Sequence, residues 1–330
     1  MSAWAAKAIR QVREGHRPTP LRGLRVGGAD VVLKDETALP TGSTKDRTVA
    51  AMLCHAIASG RITEGTGIVV ATAGPVALAA ARFATLLDLP FTALVPARTP
   101  PAVLDRIVHA GGRWRRATQP PAALQHEAHT LAEGWGAHFL DHLTDAEPAV
   151  AAWPPTLADE LFAQLPEPPR WVVVGAGTGA TSAALGRHIR REGLDTKLAV
   201  VDPENSAYFP AWASGAPDYG TGMPSRIPGI GRPRVEPGFQ PGVVDLVIPI
   251  PDAASVAALH WLHRQNVNAG PSTGTAVWGI HHLTTALREP GPFATIIADS
   301  GTPYHNTYLN QTWLQDHNLD PTPYTDQLHP

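Results

Sequence analysis

The 330-residue chain carries 26 Lys and Arg against 29 Asp and Glu, a formal net charge of −3, so it lacks the basic footprint of a nucleic-acid binder. Hydrophobic residues make up 43% and charged residues 17%, enough apolar material for the cores of two domains, while 30 Gly and 33 Pro stay below the level of a disordered chain. The single cysteine, Cys54, excludes an internal disulfide and a multi-cysteine zinc site and suits a reducing compartment, so a soluble, cytoplasmic protein is expected.

The first twenty residues scatter Lys7, Arg10, Arg13 and Glu14 among apolar neighbours and contain no signal-peptide core. Short β-rich runs then alternate with helix-length segments. Strands are expected at 31–33, 67–72, 91–95, 171–174, 198–201, 246–250 and 294–297. Helices are expected at 47–59, 77–87, 101–110, 122–133, 182–191, 253–265 and 274–287. The most apolar region, 68–95, is broken by Gly74, Pro75, Arg82, Asp88 and Pro90; it reads as strand, helix, strand and not as a membrane span, which needs about 20 apolar residues. Continuous apolar strands alternating with helices imply a parallel sheet covered on both faces, an α/β fold. The Pro-containing stretches 147–155 and 166–169 read as linkers, and the Gly/Pro-rich stretch 214–242 as a long loop of the kind that serves as a lid or binding loop. No repeat of solenoid period is present.

Three segments carry chemistry. In Pro40-Thr41-Gly42-Ser43-Thr44-Lys45-Asp46-Arg47, Ser43 or Thr44 can cap the helix that follows. Lys45 then falls in its first turn, near the positive end of the helix dipole, where a partly desolvated amine has a lowered pKa and can condense with an aldehyde. The bland alternative is a solvated lysine. The run from Trp171 to Ser182 is a strand, a glycine-rich turn and a helix start; Gly177, Thr178, Gly179, Ala180 and Thr181 can wrap a phosphate with backbone N–H groups and hydroxyls. Gly175-x-Gly177-x-x-Ala180, with Asp202 ending the next strand, also fits a dinucleotide fingerprint, and a ligand-free turn fits as well. In Ala269-Gly270-Pro271-Ser272-Thr273-Gly274-Thr275, Ser272 is either an N-cap or a hydroxyl aimed at a ligand.

Other candidates are weaker. His260 with His263, and the pair His281–His282, lack a third ligand at a metal spacing and read as structural. Asp299-Ser300-Gly301 closes the last strand as a turn or a cleft wall, and Cys54 reads as a small core residue.

In this order, the segments PTGSTKDR, GAGTGAT, GPSTG and ADSG resemble the cysteine synthase / cystathionine β-synthase family of pyridoxal-phosphate enzymes, over roughly residues 18 to 310. The runs 200–209 and 227–239 are most similar to the branch that contains cysteine desulfhydrases. The resemblance implies two open-sheet α/β domains with pyridoxal 5′-phosphate in the cleft between them (fold type II), the smaller formed by residues 48–146 and the larger by 1–47 plus 147–330. It implies Lys45 as the Schiff-base lysine, residues 177–181 around the phosphate and Ser272 at the pyridine nitrogen. It also implies a homodimer acting on a small amino acid, by α,β-elimination or β-replacement at Cβ of cysteine or an activated serine. A neutral serine partner leaves the ring a weaker electron sink than a carboxylate would, which suits β-elimination. The dinucleotide reading, by contrast, leaves Lys45 and Ser272 idle.

The departures from that family concern the substrate. Its carboxylate-binding loop, usually T-S-G-N-T or S-S-G-S-T, here reads Thr72-Ala73-Gly74-Pro75-Val76. Two hydroxyls are lost at Ala73 and Val76, and Pro75 removes an N–H. The family's glutamine is replaced by His142, while Gly229, in the second desulfhydrase-like run, is retained as a substrate-side residue. Each lost hydrogen bond to a charged group is worth about 1.5–3 kcal/mol. The expectation is a lyase or β-replacing enzyme with an altered substrate loop. The alternatives are a catalytically degenerate binding or assembly partner and, below it, a nicotinamide dehydrogenase.

Overall fold

The computed structural model describes residues 1–328. Ten strands run in chain order: β1 (Leu21–Val26), β2 (Ala29–Asp35), β3 (Ile68–Ala71), β4 (Phe91–Val95), β5 (Arg113–Arg116), β6 (His138–Phe139), β7 (Trp171–Gly175), β8 (Lys197–Pro203), β9 (Leu246–Ile250) and β10 (Phe293–Ile297). They form two sheets in two compact units, one comprising residues 1–18 and 45–154, the other 19–44 and 155–330. The expected 48–146 span lies inside the first unit. Every strand expected from the sequence forms, as does every expected helix, with ends shifted by at most three residues.

The first unit holds an all-parallel sheet in the order β5-β4-β3-β6. Its strands are short and β3 is buried along its whole length. The helix Leu124–Trp135 covers one face, bringing Leu124, Ala128 and Ala132 onto Val69, Ala71 and Leu94. The helices Lys45–Ala58 and Pro75–Leu86 pack together, and Ala77, Ala80, Ala81 and Ala84 of the second are fully buried. Cys54 sits in that packing; burial pushes its thiol up to about 11, so it is an inert core group as expected.

The second unit holds a six-stranded sheet in the order β1-β2-β10-β7-β8-β9. β1 and β2 form an antiparallel hairpin that turns at Gly27-Gly28, and the remaining neighbours are parallel. The run Trp171-Val172-Val173-Val174 shows why an unbroken apolar strand signals two covered faces. Trp171 and Val173 pack with Val277 and Ile280 of the helix Pro271–Thr285, while Val172 and Val174 pack with Leu185 and Ile189 of the helix Ala180–Arg191. From β7 the chain winds outward to β8 and β9, then returns to place β10 on the opposite side of β7. That reversal opens a crevice at the carboxyl ends of β7 and β10, the usual ligand position in an open parallel sheet. No helix among the described residues is long and apolar enough to cross a membrane.

Candidate active site

Three loops of the second unit meet at the carboxyl end of its sheet. The first follows β7. Gly179, in the left-handed region at φ +85°, ends the turn and serves as N-cap of the helix Ala180–Arg191, with no side chain capping that helix. Ala180 N–H reaches Thr178 Oγ1 at 3.4 Å, which leaves the next N–H groups of the first turn for a ligand, and Ser182 Oγ donates to Gly179 O at 3.0 Å. Thr178 and Thr181 are half-buried with hydroxyls in the same turn.

Neighbouring backbone dictates the glycines here. A Cβ on Gly177 would lie 2.2 Å from the Gly229 carbonyl oxygen, and one on Gly179 would lie 2.3 Å from the Gly238 carbonyl. The segment around 229–239 is thus the outer wall of the loop. It is stitched in place by Gly231 N–H to Ala176 O at 2.8 Å and Arg232 N–H to Ser206 Oγ at 3.1 Å. Gly229, expected on the substrate side, lies against this glycine turn. The Gly/Pro-rich stretch is indeed mostly irregular chain, between the helix Tyr208–Ser214 and a short 3-10 turn at Pro241–Val243.

The other two loops meet at the end of β10. Gly270 N–H donates to Asp299 O at 2.9 Å, and Ala298 N–H reaches Thr273 Oγ1 at 3.3 Å. Thr44 N–H donates to Ala298 O at 2.8 Å and Ser300 N–H to Gly42 O at 3.0 Å. The residue preceding Lys45 is therefore anchored to the strand next to β7, and Lys45 itself, half-buried, opens the helix Lys45–Ala58 of the first unit. Ser272 is not an N-cap. Gly270 takes that position and Pro271, suited to the first helical turn, moves Ser272 one place inside the helix, where it is buried.

The first unit carries the divergent loop 72–76. Thr72 leaves the carboxyl end of β3, Gly74 caps the helix Pro75–Leu86, and Pro75 takes its first position. Thr72 Oγ1 accepts the Gly74 N–H at 3.0 Å, and the N–H groups of Ala77 and Leu78 turn back to Gly74 O. With no N–H on Pro75, Val76 N–H is the first-turn donor left for a ligand. Residues 72–75 are half-buried and the Val76 side chain is buried. His142 stands at the same end of the same sheet. It follows β6, the partner of β3, in a turn where Asp141 Oδ1 accepts Leu143 N–H at 3.1 Å and Thr144 N–H at 3.3 Å.

Several remaining candidates are structural. Asp202, which a dinucleotide would need at a ribose, is 1% exposed and accepts the Phe209 N–H at 2.7 Å; burial raises its carboxyl to about 6. His260 and His263 bond to the carbonyls of Tyr308 and Ala269 at 2.8 and 2.9 Å. Asp299 Oδ2 accepts the Tyr304 hydroxyl at 2.6 Å. Sequence reasoning passed over Tyr208, whose hydroxyl donates to Gly177 O. The available signal was only that a fully buried tyrosine needs a partner for its O–H.

The donor set fits a phosphorylated pyridine aldehyde: a glycine-walled turn with open N–H groups, a buried serine hydroxyl and a primary amine at a helix start. Comparison with known proteins agrees. The L-cysteine desulfhydrase Cds1 of Mycobacterium tuberculosis is 40% identical, covering 97% of this chain and 92% of that protein. An N-(2-amino-2-carboxyethyl)-L-glutamate synthase of Ralstonia nicotianae is 27% identical, covering 87% and 84%. The crystal structure of an O-ureido-L-serine synthase superposes with a TM-score of 0.80 at 22% identity, over 93% of this chain and 98% of that one, showing a shared fold. The family of pyridoxal-phosphate dependent enzymes matches residues 12–299, and the chain belongs to it.

Proposed function

We propose that this enzyme breaks the Cβ–heteroatom bond of a small β-substituted L-alanine, cysteine or an activated serine, by α,β-elimination. The observation that carries the reading is the 40% identity over nearly the whole chain to an L-cysteine desulfhydrase. β-Replacement, which the synthase name of the 27% identical relative favours, is the second reading.

When bound, pyridoxal phosphate withdraws electron density from Cα, so that the Cα proton and then the β-substituent can leave. Lys45 would hold the cofactor's aldehyde, and its Nζ would serve as the base for the substrate's Cα proton. The open N–H groups and hydroxyls of residues 177–181 bind the phosphate, and Ser272 gives the ring nitrogen a neutral hydroxyl partner. Thr72, the Val76 N–H and His142 face the substrate carboxylate with fewer donors than a full set of hydroxyls would supply. Ala73, Gly74 and Gly229 shape the space around it. The enzyme acts as a homodimer in the cytoplasm; the single buried thiol suits a reducing compartment, the family resemblance of the sequence implies the dimer, and light scattering tests it.

The holoenzyme is to be incubated with L-cysteine, and separately with O-acetylserine with and without sulfide. Elimination predicts sulfide and pyruvate from cysteine in equal amounts. New cysteine from O-acetylserine and sulfide, without pyruvate, supports replacement instead. No turnover of either by cofactor-loaded protein contradicts both readings and favours a binding role.

A further inference from the structure

We propose that Tyr208 is a positioning residue that aims the Thr178 N–H into the phosphate loop. Tyr208 has 0% exposure, and its hydroxyl donates to the Gly177 carbonyl at 2.5 Å. The Gly177 C=O and the Thr178 N–H belong to one planar trans peptide and point in opposite directions. A donor that fixes the carbonyl on one side therefore fixes the N–H on the other. Burial raises the phenol's pKa and keeps it a donor.

The ring is itself held. It stacks on Phe239 with centroids 4.3 Å apart and planes inclined by 26°. The residue before Phe239, Gly238, is the one whose carbonyl stands against Gly179. The Gly229 carbonyl blocks Gly177 at its α-carbon. The 177–178 peptide is thus set between Gly229 and the Tyr208 hydroxyl, and the Tyr208–Phe239 stack links it to the wall at Gly179. An ordinary core tyrosine would need only some acceptor for its hydroxyl. This one takes a carbonyl of the turn that carries the cofactor's phosphate. The inference rests on residues 177–181 being that turn.

The experiment compares apoprotein affinities for pyridoxal phosphate and for pyridoxal, which share the aldehyde and differ in the phosphate. Tyr208→Phe should weaken pyridoxal phosphate about tenfold, the worth of one hydrogen bond, and leave pyridoxal within about twofold. Equal losses for both ligands, as a purely structural role predicts, overturn the proposal. Thr181→Ala serves as the control for the loop. If it loses phosphate preference while Tyr208→Phe does not, the Tyr208 inference alone fails; unchanged preference in both removes the phosphate-loop reading with it. Should Tyr208→Phe fail to fold, Phe239→Leu decides, since it keeps the hydroxyl but loosens the ring. It should show the same phosphate-selective loss at about threefold, and a loss equal for both ligands overturns the proposal.

Discussion

Two loops at the carboxyl ends of parallel strands, one in each sheet, are built on opposite principles. In the glycine turn 177–179, backbone approaches backbone so closely that a methyl group on Gly177 or Gly179 would overlap a carbonyl. The loop 72–76 has no such constraint: a Cβ on Gly74 would meet only the Thr72 hydroxyl, at an ordinary 3.5 Å. Its shape comes from Pro75 at the first helical position and from Thr72 turning its oxygen back to the Gly74 N–H. The first loop is closed to change by packing, whereas the second admits substitution without loss of fold. Under the proposed function, that asymmetry lets the chain keep its cofactor loop while the groups proposed to meet the substrate change.

The largest effect should come from Lys45→Ala. Turnover should fall by about 10³-fold or more, the scale of a lost proton-transfer group, while cofactor content measured by absorbance after addition of an amine persists. Full activity in that variant would remove Lys45 from its assigned role. Next is a matched pair in the two loops. Gly177→Val should lower cofactor affinity by about 100-fold, because displacing a packed backbone costs several kcal/mol. Gly74→Ala should leave cofactor affinity unchanged. Equal tolerance at both positions would erase the contrast between the loops.

Thr72→Ala removes the hydroxyl that remains in the 72–76 loop. It should raise KM for cysteine about tenfold at unchanged cofactor occupancy, in line with one lost hydrogen bond to a charged group. The smallest effect concerns Asp202. Its carboxyl is held at about 6, above the ordinary 3.8, so the folded protein binds that proton more tightly than the unfolded chain. The associated stability is complete below pH 3.8 and is lost as pH rises through about 6. Asp202→Asn keeps an acceptor for the Phe209 N–H, so its melting temperature relative to wild type should climb between pH 5 and pH 8. A difference that does not change with pH would show that the carboxyl is already ionised at pH 5.

The sequence was most legible where one strand or turn carries its own signal. β7 reads as buried because four consecutive apolar residues must face two covered sides, and the glycine turn after it reads as a phosphate site for its exposed N–H groups. β1 and β5 escaped because their arginines lie on the edge strands of the two sheets, with mostly exposed side chains. The Gly27-Gly28 pair was the available hairpin cue for β1. Ser272 lies two positions past the cap because Gly270 caps the helix and Pro271 takes its first position. Tyr208 was out of reach, since its role depends on a carbonyl 31 residues earlier in the chain.

The central claim, a complete cofactor-binding set in a chain whose carboxylate loop is weakened, is tested most directly by titrating the holoenzyme's absorbance spectrum with L-cysteine and with O-acetylserine. The comparison is between wild type and the triple variant Ala73→Ser, Pro75→Asn, Val76→Thr. The three positions meet one ligand group, so they are changed together, and the buried Val76 site makes its hydroxyl the costliest to add. The account predicts equal cofactor occupancy and a half-saturation concentration at least about tenfold lower in the triple variant. Tight saturation of the wild type by cysteine, with no gain in the variant, would contradict it.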